Sequence, residues 1–122
     1  MPEGSNSRNK LKQLAIRYFR KQGYDIEEKK TVREGYSGLS REFDLVVRRG
    51  GSTQAVWIKD WDRTIGVNIV IDLDKASADV GLSNPIVVGG KFSDHAKSYA
   101  NRKKITLLTE RQINRILRMR HY

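Results

Sequence analysis

A continuous apolar run over residues 43–47, interrupted only by Asp44, is the feature that most constrains the fold. A strand with one solvated face alternates apolar and polar residues, whereas a continuous apolar run suits a central strand covered on both faces. Residues 49–52, Arg-Gly-Gly-Ser, predict a turn, and residues 53–58 predict the returning strand of a hairpin. The hairpin is therefore expected to lie inside a sheet that carries helices on both sides.

Helical periodicity on either side of the hairpin completes the predicted order. Apolar residues at three- and four-residue spacing predict two helices: Leu11, Leu14, Ala15, Tyr18 and Phe19 in the first, and Ile65, Ile69, Leu73 and Ala76 in the second. A charged edge strand is predicted over 26–32, and short buried strands over 85–88 and 105–108. Ser93 is expected to cap a third helix, and a capping box over 109–112 a fourth. The order α-β-β-β-α-β-α-β-α predicts an α/β three-layer sandwich with a mixed central sheet, with residues 1–8 disordered and 9–122 forming one domain.

Charge and composition bound the function. The net charge of +10 is concentrated at the ends: six bases and one acid in residues 1–24, and nine bases and two acids in 91–122. This polarity favours a polyanion, nucleic acid first, as the partner. The chain has no cysteine, so a metal would need oxygen ligands or the isolated His95 and His121. No apolar run is long enough for a membrane span and no secretory signal is visible, so a cytoplasmic, DNA-associated protein is expected.

Three segments in a fixed order carry a resemblance to a known family. The first is 58–61, Ile-Lys-Asp-Trp, followed by Gly-Val-Asn-Ile-Val at 66–70; the second is 85–93, with Ala96 and Ala100; the third is Gly23-Tyr24 before a charged strand. Over residues 9–118 the chain resembles the PD-(D/E)xK nucleases, most closely the Mrr-type restriction endonuclease-like domains, with archaeal Holliday junction resolvases as cousins.

The resemblance implies a metal-dependent nuclease site with Asp44 as the first carboxylate and Lys59 as the catalytic lysine. Phosphodiester hydrolysis by such a site uses Mg²⁺, which prefers oxygen ligands, while the lysine offsets developing negative charge. The second carboxylate of the family falls at Trp57, which cannot bind a metal, and the glutamate of the first helix falls near Lys12 and Gln13. Asp44 would then be the remaining metal ligand, and Mg²⁺ is expected only if the chain is catalytic.

Each of these residues also has a plainer role. Asp44 and Lys59 could form a structural ion pair, and Trp57 could be a core residue or could stack on a nucleotide. Asp60 is expected to point to the face of the strand opposite Lys59. Asp72 and Asp74, on the following helix, are the candidates for a displaced second carboxylate.

Six basic and hydroxyl side chains are further candidates for DNA contact. Arg111, Arg115 and Arg118 form a stripe that is either a solvated face or the flank of a DNA groove. The loop over 35–40 is expected at the mouth of the site, where phosphate would meet three side chains: Ser37, Ser40 and Arg41.

The sequence therefore predicts a nuclease-fold DNA-binding domain with a degenerate catalytic centre, acting as a binding or partner-docking module. Two alternatives stay open. One is an active Mg²⁺-dependent endonuclease with the displaced carboxylate at Asp72 or Asp74, and the other is a non-catalytic scaffold subunit of a heteromeric nuclease. A homodimer or a protein partner is implied by the resemblance alone.

Overall fold

The computed structural model of the chain describes residues 3–27 and 31–119. In that part of the chain four helices alternate with seven strands in the order α-β-β-β-β-β-α-β-α-β-α. The helices are α1 (Glu3–Lys21), α2 (Val67–Asp79), α3 (Asp94–Lys103) and α4 (Glu110–Arg118). The strands are β1 (Asp25–Glu27), β2 (Val32–Glu34), β3 (Ser40–Glu42), β4 (Leu45–Arg49), β5 (Ser52–Lys59), β6 (Ile86–Gly89) and β7 (Thr106–Thr109).

A five-stranded mixed sheet is the centre of the fold. Its strand order is β1-β4-β5-β6-β7. The first three strands pair antiparallel, and β5, β6 and β7 run parallel to one another. Strands β2 and β3 form a separate two-stranded sheet.

Two apolar clusters cover the two faces of the sheet. On one face, residues of α1 and α4 such as Phe19 and Ile113 pack on alternate strand residues such as Val56. On the other face, residues of α2 and α3 such as Leu73 and Ala96 pack on the intervening strand residues. Strands β4, β5 and β6 carry buried residues on both faces, as central strands of such a sheet do, and the predicted three-layer α/β sandwich is confirmed.

Several local predictions are confirmed. Gly50 and Gly51 both have positive φ in the turn of the β4–β5 hairpin, a backbone conformation that favours glycine. Ser93 accepts a hydrogen bond from the Ala96 amide at the start of α3, and the capping box at Thr109 is complete at the start of α4.

The structure corrects three details of the predicted elements. The charged strand predicted over 26–32 is divided between β1 and β2, and β3 adds a further strand at the end of the predicted loop. The apolar strand begins at Leu45, so Asp44 directly precedes it. Helix α1 begins at Glu3, so residues 3–8 are helical where the sequence predicts disorder, because each residue added to an existing helix gains a backbone hydrogen bond. Within the described residues, no helix is both long and apolar enough to cross a bilayer.

Candidate functional site

One edge of the central sheet brings together the ends of several strands. Lys59, Gly89 and Thr109, the last residues of three parallel strands, lie side by side in the register. The antiparallel β4 enters from this same edge, directly after Asp44, and α4 begins there. We call it the site edge.

Asp44 is held at the site edge by two hydrogen bonds to β5. Its carboxylate Oδ2 accepts from the backbone amide of Ile58 at 2.6 Å, and its own amide donates to the carbonyl of Val56 at 3.0 Å. The ion pairs found among the described residues are Arg33–Glu27 and Arg41–Asp79. The carboxylate therefore forms no ion pair with Lys59, contrary to the plainer alternative, and it continues the β4–β5 pairing through a side chain.

Lys59 lies against aromatic rings. Strand alternation places it on the same face of β5 as Trp57, and its Nζ lies 4.7 Å from the centroid of that ring and 5.5 Å from that of Trp61. The guanidinium of Arg63 lies 4.2 Å from the Trp61 ring. Cations so placed are attracted to the negative faces of the rings by about 0.5–2 kcal/mol each. Two cations and two indoles thus form one packed cluster, which we call the indole–cation cluster.

Trp57 occupies the position where the resemblance expects a second carboxylate. Leu45 pairs with Val56 in the antiparallel register, so the next position of that register brings Trp57 opposite Asp44. Its indole Nε1 donates to the carbonyl of Glu42 at 2.9 Å, and an indole offers no metal ligand. Among the described residues there is no group of three or more acidic, histidine or cysteine side chains able to hold a metal. Position 57 therefore supplies no carboxylate beside Asp44, where the two-carboxylate Mg²⁺ site of the family would need one.

Asp60 lies one residue beyond β5, and its predicted direction, away from Lys59, stays a prediction. It lines a cavity of about 220 Å³ together with Asp44, Lys59, Ile58 and Trp61. Strand β5 ends at Lys59, so the alternation that predicted the opposite face no longer applies at residue 60. Asp60 is exposed, and it is the second acidic residue at this cavity.

The two candidates for a displaced carboxylate lie elsewhere. Asp72 is exposed and lines a separate cavity of about 340 Å³ beside Trp57. Asp74 accepts a hydrogen bond from the Tyr99 hydroxyl at 2.7 Å, an interaction that raises the pKa of Tyr99. Neither residue lines the cavity that contains Asp44.

The loop predicted over the site mouth is fastened to the end of α2 by Asp79. Its carboxylate accepts from the Ser37 amide at 2.9 Å, from the Ser37 hydroxyl at 2.7 Å and from Arg41 Nε at 2.8 Å. These bonds, those of Ser37 foremost, lower the pKa of Asp79 to about 2. Phosphate contact by Ser37 or Arg41 would compete with this carboxylate, whereas Ser40 lines the cavity beside Trp57.

The arginine stripe of α4 lies beside the site edge. It lines a cavity of about 640 Å³, made by Arg111, Arg115, Arg118, Gly90, Glu110 and Asn114. Gly90 follows the last residue of β6 at the site edge. The three guanidiniums outnumber the single Glu110 carboxylate, so this cavity, which we call the arginine groove, is basic.

Sequence reasoning did not single out Trp61 and Arg63 as residues of the site, because their signal was weak. Trp61 and Arg63 lie two and four residues after Lys59. This spacing alone does not predict that Lys59 and Arg63 both lie over the Trp61 ring, as they do in the structure. His95 is exposed and lines a cavity of about 460 Å³ beside Trp61. His121, the other histidine considered as a ligand, lies outside the described residues.

Comparison with known proteins identifies one family model and a solved structure of similar fold. The family model Mrr_cat, described as restriction endonuclease, matches residues 5–117. A solved structure described as "Crystal Structure of Protein of Unknown Function AF1548" superposes with a TM-score of 0.72 at 20% sequence identity, covering 81% of this chain. This chain spans 56% of that one, and at this identity the likeness concerns the fold alone. No curated protein matches the sequence.

Proposed function

This chain belongs to the restriction endonuclease family described by the Mrr_cat model, and from that premise we propose that it is a DNA-binding domain whose catalytic centre is degenerate. In this proposal the arginine groove and Lys59 contact the DNA backbone. The altered centre then serves binding or partner docking in place of cleavage.

The observation that carries the proposal is the position of the arginine groove next to the site edge. Arg111, Arg115 and Arg118 recur at intervals of four and three residues, which places them along one face of α4. Among the described residues of α4, Glu110 is the acid at this groove. Guanidinium groups bind phosphate oxygens through two parallel hydrogen bonds, and arginine is a frequent contact of the DNA backbone.

The degenerate part of the proposal is supported by the donor set. A metal-dependent nuclease needs carboxylate oxygens that converge on one ion. Here Trp57 takes the position opposite Asp44 in the β4–β5 register, and one Asp44 oxygen is already engaged by the Ile58 amide.

Binding to labelled DNA measured over a salt series tests the proposal. We expect affinity to fall steeply with salt, since each neutralised phosphate contributes a slope of about −0.9 in log affinity against log salt. The double variant Arg111→Ala/Arg115→Ala should reduce the magnitude of that slope by about 2 and weaken binding at 50 mM salt by roughly tenfold or more.

A matched control removes the same charge at the opposite end of the parallel strands, where β7 begins. Arg102 and Lys103 lie in the last turn of α3, just before β7 enters the sheet. The variant Arg102→Ala/Lys103→Ala should change affinity less than threefold, an estimate based on screening over that distance. Equal losses in the two double variants would mean that net charge alone governs binding and would contradict an interface at the arginine groove.

A second candidate function, a metal-dependent endonuclease, is favoured by one observation. Asp60 lines the same cavity as Asp44 and Lys59, so it is a better placed second acid than Asp72 or Asp74. Mn²⁺ titration of the protein separates the two functions, because the endonuclease requires metal affinity that falls in both Asp44→Ala and Asp60→Ala. The third possibility, a non-catalytic subunit of a heteromeric nuclease, would be favoured by absence of DNA binding even at low salt.

A further inference from the structure

We propose that the cavity beside Trp57 holds an unpaired base of DNA, stacked on the indole. This inference rests on the proposed DNA binding and adds the form of DNA that the domain prefers: single-stranded, bulged or gapped. The indole that interrupts the family's metal site then has a binding role of its own.

The cavity has the size and lining of a small-ligand site. Its volume of about 340 Å³ falls at the lower end of the range for such sites, about 300–1,000 Å³. It is lined by Ser40, Arg41, Glu42, Trp57, Asp72, Lys75 and Ala76. Trp57 is the aromatic residue of this lining and is partly exposed.

The charges of the lining suit a base better than a phosphate. Two basic residues, Arg41 and Lys75, are balanced by two acids, Glu42 and Asp72. A phosphate would gain little there, because the acids cancel the attraction of the bases. The edge of a base carries both donors and acceptors, which such a mixed lining can satisfy.

The indole is positioned before any ligand arrives. The bond from Trp57 Nε1 to the Glu42 carbonyl and the contact of Lys59 with the ring fix its plane. The Lys59 ammonium lies 4.7 Å from the ring centroid and lines the cavity at the site edge, so the phosphate of the stacked nucleotide would extend toward that edge to meet it. An aromatic platform beside a backbone cation is the general arrangement of single-strand binding sites.

Duplex DNA cannot use this site in the same way. Within a duplex both faces of a base are covered by its neighbours, so stacking on Trp57 first requires the base to leave the helix. A base that is already unpaired avoids that cost. Stacking on an aromatic side chain is worth about 5- to 150-fold in affinity, which sets the preference that we expect for unpaired over fully paired DNA.

Trp57 can report on its own stacking. The chain has two tryptophans, so the variant Trp61→Phe leaves Trp57 as the sole indole emitter. We titrate this protein with a duplex and with the same duplex carrying a one-base bulge. The bulged DNA should quench the emission on binding, and the duplex should bind without quenching.

A pair of substitutions tests the affinity. Trp57→Leu should weaken binding of the bulged DNA by about 5- to 150-fold and change duplex binding less than threefold, whereas Trp57→Phe keeps an aromatic face and should retain most of the preference. If Trp57→Leu does not fold, the emission of the Trp61→Phe protein still decides. Equal affinity and equal quenching with both DNAs would overturn the unpaired-base proposal alone. Failure to bind either DNA would overturn the DNA-binding proposal with it.

Discussion

The indole–cation cluster and the arginine groove border the same sheet edge, yet their cations are placed very differently. The ammonium of Lys59 contacts the rings of Trp57 and Trp61 and has no carboxylate partner within ion-pair distance among residues 3–27 and 31–119. The guanidiniums of the arginine groove line an open cavity with one acid among them. In the proposed function, this difference separates a groove open to the DNA backbone from a centre where an indole takes the place of the family's second carboxylate.

Restoring the missing acid should have the largest effect on this comparison. Trp57→Glu places a carboxylate opposite Asp44, and two converging carboxylates hold a divalent ion much better than one. We expect the affinity for Mn²⁺ to rise by roughly tenfold or more. Electron paramagnetic resonance of the free ion measures that affinity. Loss of the indole should lower the free energy of unfolding by about 2–3 kcal/mol, less than for a fully buried tryptophan.

The control for that experiment is Trp57→Gln, which also removes the ring but adds no charge. If the glutamate and glutamine variants bind Mn²⁺ equally weakly, position 57 does not face the Asp44 carboxylate closely enough to share an ion. That outcome would remove the structural basis for calling the centre degenerate.

The charge of Lys59 provides the next test. Lys59→Met keeps an unbranched apolar stem against the indoles and removes the ammonium. We expect DNA affinity at 50 mM salt to fall about three- to tenfold, as for one lost phosphate contact, with a change in unfolding free energy below about 1 kcal/mol. A loss as large as that of Arg111→Ala/Arg115→Ala would mean that the centre, and not the groove, dominates binding.

Asp44 should matter for stability and not for binding. Asp44→Ala leaves the Ile58 amide without its acceptor and should cost about 1–3 kcal/mol in urea unfolding. Asp44→Asn retains an acceptor oxygen and should cost less. DNA affinity should stay unchanged or rise slightly, because a negative charge is removed from the interface. A drop in DNA affinity in both variants would show that the carboxylate takes part in binding.

The smallest expected effect concerns the loop that Asp79 fastens. Because its folded-state pKa is about 2, below the usual 3.8, Asp79 stabilises the fold fully above pH 3.8, and this stabilisation is lost as the pH falls through 2. The midpoint temperature of thermal unfolding should therefore fall more steeply between pH 6 and pH 2.5 for the parent chain than for Asp79→Asn. Parallel curves would mean that the carboxylate does not hold Ser37 and Arg41 in solution.

The sequence predicted the fold well where the causes are local. The hairpin glycines, the Ser93 cap and the capping box at Thr109 each act within four residues, and all are present. It missed the β2–β3 hairpin because its strands have three residues each, too few for an alternating pattern to appear. Such short strands depend on contacts that are distant in sequence, such as the bonds from the loop to Asp79.

The site was predicted in part, for a similar reason. Strand patterns were sufficient to bring Asp44 and Lys59 to one sheet edge, since paired strands fix that neighbourhood. The alternating strand pattern ends with β5 at Lys59. It therefore could not predict that Asp60 lines the same cavity or that Lys59 lies over the Trp61 ring. Those positions depend on how the chain turns after β5.

Incubating end-labelled branched, duplex and single-stranded DNA with the purified protein in Mg²⁺ or Mn²⁺ tests the central claim most directly. Binding is followed on native gels and strand integrity on denaturing gels of the same samples. Retarded but intact DNA, with retardation lost in Arg111→Ala/Arg115→Ala, is the result that a degenerate binding domain predicts. Metal-dependent cleavage that disappears in Asp44→Ala would contradict it and identify the chain as an active endonuclease.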